Sequence, residues 1–400
     1  MILPNDTPNG GQHPETAAFA AALANQGVIA PHTGSPYSEA MLLGIGGGLG
    51  MGYILWEFKQ GDLKILVVGM RNNWQYPVKF VEALGSRMNM PVQVMETGGK
   101  QRARQNVESA LAAGVPAVAW VDPAQLANTM LPAEADGCYG HVVTVAGIDA
   151  AGHILVDERA AGHFTVDPAD FAAARARIPS YKNRVVLFGE PAEFDLAEAV
   201  MAGLTDCAEH LHKKSDSFSL PAIRKWARLM TDTRNKKAWP VVFADRRGLY
   251  SALKSVYEGV SPGGPQGGSL RDLYAAFLNE AAPLVKLPAL DEIAYHYKYI
   301  GVRWSNLGEL ALPTEVPALA ATKELLARRQ ATFAALGGDG LDELRAITTE
   351  LDALDAELGD DFPLTDAEIA DLFATMQAEL DGIYVAEQEA NRLLRERVIG

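Results

Sequence analysis

Cysteine is almost absent from this 400-residue chain, which has only Cys138 and Cys207. Two thiols cannot build a disulfide framework or a cysteine-rich zinc site. A basic segment followed by an apolar stretch is missing from the first residues, so no signal peptide is expected. Runs of about eighteen apolar residues are also missing, so no membrane span is expected. The longest apolar stretch, 41–56, is repeatedly broken by glycine. A cytoplasmic protein is therefore expected. Positive charge is in deficit, with 35 Lys and Arg against 50 Asp and Glu, and the net charge of −15 argues against nucleic acid as a partner. Metal-ligand spacing is lacking too. His210 and His212, two apart, do not share a helix face, and His32 sits in a loop. No metal or cofactor is expected.

What is present is globular. The composition is 48% hydrophobic and 21% charged, and the length favours more than one core. The deficit of positive charge is uneven. Ten Lys or Arg and only three acidic residues fall between Lys213 and Arg247. Such a stretch is either a solvated face or a docking patch for an anionic partner.

The pattern along the chain predicts an α/β (α+β) domain followed by helices. A helix over 14–27 starts with Pro14 in its first turn, His13 at the cap and Glu15 favouring the dipole. A short helix over 40–43 follows Ser38-Glu39. Then comes a glycine-rich segment around Gly46-Gly47-Gly48. A phosphate loop needs a strand before it and a helix after it; here the order is reversed, so close backbone packing against the first helix is expected instead. Strands are predicted over 53–57, 63–69, 92–96 and 116–121, and helices over 77–88 and 100–113. The run Gly140-His141-Val142-Val143-Thr144-Val145-Ala146-Gly147-Ile148-Asp149, with His153 to Asp157, reads as a hairpin. A strand over 164–166, a helix from 167 and a strand over 185–188 close the domain. Helices are predicted over 195–212, 220–230, 248–260, 270–285 and 290–311. Longer charged ones follow over 318–335, 339–358 and 365–398, as an antiparallel hairpin or partner surface, with coiled-coil pairing and a homodimer among the expected arrangements. The expected division is 1–190, 191–317 and 318–400.

These residues carry a resemblance. Ser38-Glu39-Ala40-Met41, Gly46-Gly47-Gly48-Leu49-Gly50, Gly114-Val115-Pro116 with Asp122, and the His141–Asp157 hairpin make residues 10–190 similar to the N-terminal domain of butirosin biosynthesis protein H, a papain-like family. Residues 215–315 resemble the helical domain that commonly follows it, through Leu270-Arg271-Asp272-Leu273-Tyr274 and Arg303-Trp304. Residues 318–400 have no recognised counterpart. The resemblance implies a papain-like cysteine-protease-type domain, a helical C-terminal domain, and acyl or aminoacyl transfer from an acyl carrier protein thioester to an amine in a bacterial specialised-metabolite pathway. It also implies a thiolate at a helix N-terminus, His141 as base and Asp157 as its orienting carboxylate.

The nucleophile position falls on Pro14, which has neither thiol nor N–H. Thr16 points about 200° around the helix from it. Cys138, three residues before His141, could approach from a loop but lacks a helix dipole. His13 or Glu15 could act as a base without covalent catalysis. Expected substrate contacts are Asp122, Glu39, Gly46, Gly47, Gly48 and Cys138. The expected partners are a small-molecule amine and a phosphopantetheine-linked donor or acyl carrier protein docking on 213–247. The alternative is an inactive pseudoenzyme that binds a carrier protein or biosynthetic partner.

Overall fold

The computed structural model describes residues 2–3, 8, 10–57, 64–126, 129, 136–137 and 140–400. In chain order these form α1 (Pro14–Asn25), α2 (Glu39–Gly46), β1 (Leu49–Glu57), β2 (Lys64–Arg71), α3 (Pro77–Arg87), β3 (Val92–Met95), α4 (Lys100–Ala112), β4 (Ala117–Val121), β5 (His141–Ile148), β6 (Ile154–Asp157), β7 (Phe164–Val166), α5 (Pro168–Ala176) and β8 (Val185–Phe188). Helices follow: α6 (Leu196–His212), α7 (Pro221–Thr231), α8 (Trp239–Val242), α9 (Leu249–Val260), α10 (Arg271–Leu284), α11 (Ala289–Ala311), α12 (Pro317–Leu336), α13 (Leu341–Asp360) and α14 (Asp366–Val398). No helix among the described residues is long and apolar enough to cross a membrane.

Two compact units result, each assembled from three stretches of chain. The first comprises Met1–Leu42, Val81–Leu196 and Arg329–Thr348; the second comprises Leu43–Phe80, Ala197–Arg328 and Thr349–Gly400.

The first unit is built on a six-stranded sheet in the order β3-β8-β4-β5-β6-β7, every neighbouring pair antiparallel. All five residues of β4 are buried, as expected for a strand covered on both faces. Alternation along β5 divides its side chains. Val143 and Val145 join Val107 and Leu111 of α4 and Phe171 of α5 in the core, whereas the Thr144 hydroxyl donates to the Ala18 carbonyl of α1 at 3.1 Å. Helix α1 thus lies on one face, with Phe19 edge-on to Phe188 at 5.2 Å, and α4 and α5 lie on the other. The β5–β6 turn is fixed by Asp149, whose Oδ1 accepts from the backbone N–H of Ala151 and His153. The third stretch of chain lines β7: Phe333 stacks on Phe164 at 5.3 Å, and Ala161 N–H donates to the Ala334 carbonyl.

The second unit pairs β1 with β2 as an antiparallel ribbon against helices. Tyr53 of β1 stacks on Trp226 at 5.1 Å and accepts from Trp239 Nε1 at 2.9 Å. The apolar stripe of α14, Ile369, Phe373, Met376, Leu380 and Ile383, is buried, and that helix packs on α7 and α11. It is consumed by the unit's own core, not by coiled-coil pairing with the other C-terminal helices.

One buried ion pair binds this unit. Arg271 Nε meets Glu387 Oε1 at 2.7 Å with both side chains fully buried, Arg271 Nη1 donates to the Ser269 carbonyl at 2.7 Å, and Trp304 Nε1 donates to the same carboxylate at 3.0 Å. Removing one partner strands the other charge in the core. Glu387→Leu is therefore expected to destabilise the protein by about 3–5 kcal/mol, and Arg271→Met with Glu387→Leu to recover most of that. Denaturant midpoints of the three proteins check this; equal losses in the single and double variants would refute it.

Candidate functional site

Pro14 opens α1 at its first turn and is buried, where its fixed φ suits the helix and its missing N–H is no loss. The chain leading into it is gripped by Glu39. Glu39 Oε2 accepts from Gln12 N–H, and Oε1 accepts from His13 N–H and from the Thr16 hydroxyl, all at 2.8 Å. Gly11 makes the grip sterically workable. It has φ +148°, and a Cβ there would lie 2.4 Å from Ala17 Cβ, so only glycine fits. His13 is buried at the cap, its Nδ1 lying 3.2 Å from Thr16 Oγ1 and 3.4 Å from Thr16 N. Burial raises the Glu39 carboxyl above its ordinary value, against the opposing pull of the two backbone amides, the Thr16 hydroxyl and Arg159. Glu39 thus acts on this lead-in as a clamp.

His141, at the start of β5, is buried, and its Nε2 lies 2.7 Å from Oε1 of Glu158, also buried. The sequence reading named Asp157 as the orienting carboxylate; the bond observed goes to the next residue. Asp157 ends β6 and lies opposite Thr144, whereas Glu158 follows the strand, outside the ladder. With Glu158 ionised, its carboxylate only accepts, which assigns the proton of a neutral imidazole to Nε2 and the lone pair to Nδ1. Nδ1 makes no hydrogen bond among the described residues.

Arg159 joins the two clusters. Its Nη1 donates to the Gln12 carbonyl at 3.1 Å, and Glu158 and Glu39 both act on its charge. Burial lowers its pKa while the two carboxylates oppose that shift. The Arg159 backbone is left-handed, at φ +54°, a strained state for a non-glycine residue. Its guanidinium lies 5.3 Å from the Phe333 ring.

The other expected site residues fall elsewhere. Asp122 is buried, caps a 3₁₀ turn through Ala124 N–H at 3.0 Å, and accepts from Gly137 N–H at 2.6 Å. Glu15 lies in the first turn of α1. The glycine segment belongs to the second unit and packs there against α3, α6 and α10 side chains. A Cβ on Gly46 would meet Phe80 at 2.2 Å, one on Gly47 would meet Asp206 at 2.7 Å, and one on Gly48 would meet Tyr274 at 2.7 Å. Cys138 lies outside the described residues. Cys207 is fully buried, accepts from Leu49 N–H at 3.3 Å, and burial pushes its thiol up to about 12, which suits a structural thiol and not a nucleophile.

Glu158 and Arg159 are not marked by any local motif in the sequence.

Glu39 offers a pH test. Its folded pKa is raised, so between the unfolded and folded values the folded state holds a proton that the unfolded chain has released. This contribution to stability is complete below the ordinary carboxylate range and is lost as pH rises through the folded value. A carboxyl-carbon NMR titration, assigned with Glu39→Gln, is expected to place the Glu39 midpoint above that of an exposed glutamate. A midpoint at or below it would contradict burial as the dominant influence.

Two family models match the chain. Residues 13–159 match butirosin biosynthesis protein H, N-terminal, and residues 169–328 match a domain of unknown function (DUF4872). Comparison with curated proteins finds no similar sequence. The chain thus carries a butirosin biosynthesis protein H N-terminal domain followed by a DUF4872 domain.

Proposed function

We propose that this protein transfers an acyl group from a thioester to an amine in one direct step, on a papain-like scaffold without a covalent intermediate. The observation carrying this reading is the buried His141–Glu158 pair, 2.7 Å apart through Nε2, which leaves Nδ1 as the proton acceptor. The amine nitrogen attacks the thioester carbonyl carbon and the C–S bond breaks. The amine proton passes to His141 Nδ1 and then to the departing sulfur. The products are an amide and a free thiol, so atoms and charge balance. Glu158 stabilises the imidazolium formed midway. A positioned base contributes about 10²–10⁴-fold and an orienting carboxylate about 10–100-fold. Neither contribution requires a cysteine.

The test uses the full-length protein with S-acetyl-N-acetylcysteamine and glycinamide, following thiol release and amide mass. His141→Ala is expected to lower the rate by about 10²–10⁴-fold and Glu158→Gln by about 10–100-fold. A wild-type rate no greater than that of His141→Ala would overturn the reading. Pro14→Cys is expected to trap an acyl adduct visible by mass spectrometry, since a thiol at that helix N-terminus is favoured as thiolate.

A second reading is a partner-binding pseudoenzyme. It is favoured by the solvent-facing Lys213, Lys214, Arg224, Arg228, Lys236 and Lys237 on a chain of net charge −15. It expects binding of an acidic carrier protein that weakens steeply with salt and is indifferent to His141→Ala. Salt-independent binding would discard it.

A further inference from the structure

We infer that Tyr181 belongs to this site as the side-chain hydrogen-bond donor to the acyl oxygen of the substrate, an inference that rests on the acyl-transfer reading above. Acyl transfer places negative charge on that oxygen, and donors held in advance are needed there. In a site of this kind the donors would be backbone amides at the helix N-terminus. Here Pro14 has none, and those of Gln12 and His13 are taken by Glu39. A side chain of another element supplies a further donor.

Tyr181 ends the 3₁₀ turn Pro179–Tyr181 and lies against Gly140, the residue before His141. A Cβ on Gly140 would fall 2.2 Å from the phenol oxygen. The phenol therefore occupies space that any other residue at 140 would fill. Glu15 of α1 and Asp122 after β4 both act electrostatically on it, and the Arg184 guanidinium lies 5.4 Å from its ring. The hydroxyl makes no hydrogen bond among the described residues. Burial and the Glu15 carboxylate raise its pKa, so it remains protonated, the form that donates.

The backbone that holds it there is strained. Lys182 and Asn183 are consecutive left-handed residues, at φ 47° and 50°. Such a turn persists only where its surroundings over-determine it, and here they do. Arg184 N–H closes it onto the Tyr181 carbonyl at 2.8 Å, Thr97 N–H holds the Lys182 carbonyl at 2.7 Å, and Arg175 Nη2 holds that of Asn183 at 2.8 Å. Asn183 Nδ2 returns a bond to the Thr97 carbonyl at 2.8 Å. Tyr181 lies outside residues 13–159 and inside 169–328, so this donor comes from the chain segment matched by the second family.

The experiment compares wild type, Tyr181→Phe and His141→Ala, full length, with S-acetyl-N-acetylcysteamine and glycinamide. Phenylalanine keeps the ring and removes only the donor; melting temperature confirms the fold. Tyr181→Phe is expected to lower kcat by about 10²-fold or more with KM changed less than about threefold, the pattern of a donor used in the transition state. A kcat within about twofold of wild type overturns the inference; if His141→Ala remains inactive, the acyl-transfer reading survives. Should wild type and His141→Ala turn over equally, that reading fails, and Tyr181 is judged by binding alone. Titration of ¹³C-tyrosine-labelled protein with N-acetylcysteamine acetamide isostere is then expected to shift the resonance assigned with Tyr181→Phe, and an unmoved resonance overturns the inference as well.

Discussion

One guanidinium governs the geometry of the first unit. Arg159 sits between two carboxylates, Glu158 on the strand side and Glu39 on the helix side, and donates to the Gln12 carbonyl. Each carboxylate has its own task, orienting His141 or gripping the lead-in to α1. Because one buried cation serves both, the base and the helix terminus cannot shift independently without leaving charge uncompensated. The strained backbone of Arg159 and the Phe333 ring against its side chain keep that cation in place.

This arrangement bears on Pro14. The N-terminus of a helix favours negative charge, and here Glu39 and Glu15 already supply it. The proline, whose missing N–H is no loss at a helix start, is consistent with these surroundings. The chemistry left to the unit is proton transfer and positioning, which the His141–Glu158 pair supports.

Much of this was legible in the chain because local chemistry and final structure agree. Asp149 and Gly152 mark the β5–β6 turn, Asp167-Pro168 marks the start of α5, and the apolar run 117–121 marks a doubly covered strand. What escaped was set by distance. The partner of His141, Glu158, lies just past the end of β6, where strand alternation gives no guide. The glycine segment reads as a loop by composition, yet its neighbours, Asp206, Cys207 and Tyr274, come from helices far along the chain. Arg271 and Trp304 carry the resemblance to the helical family, but the carboxylate both engage, Glu387, lies in the stretch without one.

Strand β8 sits between β3 and β4 although it is the last strand made, and the first unit is closed by Arg329–Thr348. During synthesis β3 and β4 therefore wait for β8, and β7 waits for the stretch that contains Phe333. Pairings so distant in sequence form slowly, and their half-built sheet edges are open to wrong partners. The same interleaving means that a premature stop before residue 329 would leave the first unit incomplete, with Phe164 lacking its stacking partner. Completing the first unit thus draws on late residues as well as early ones.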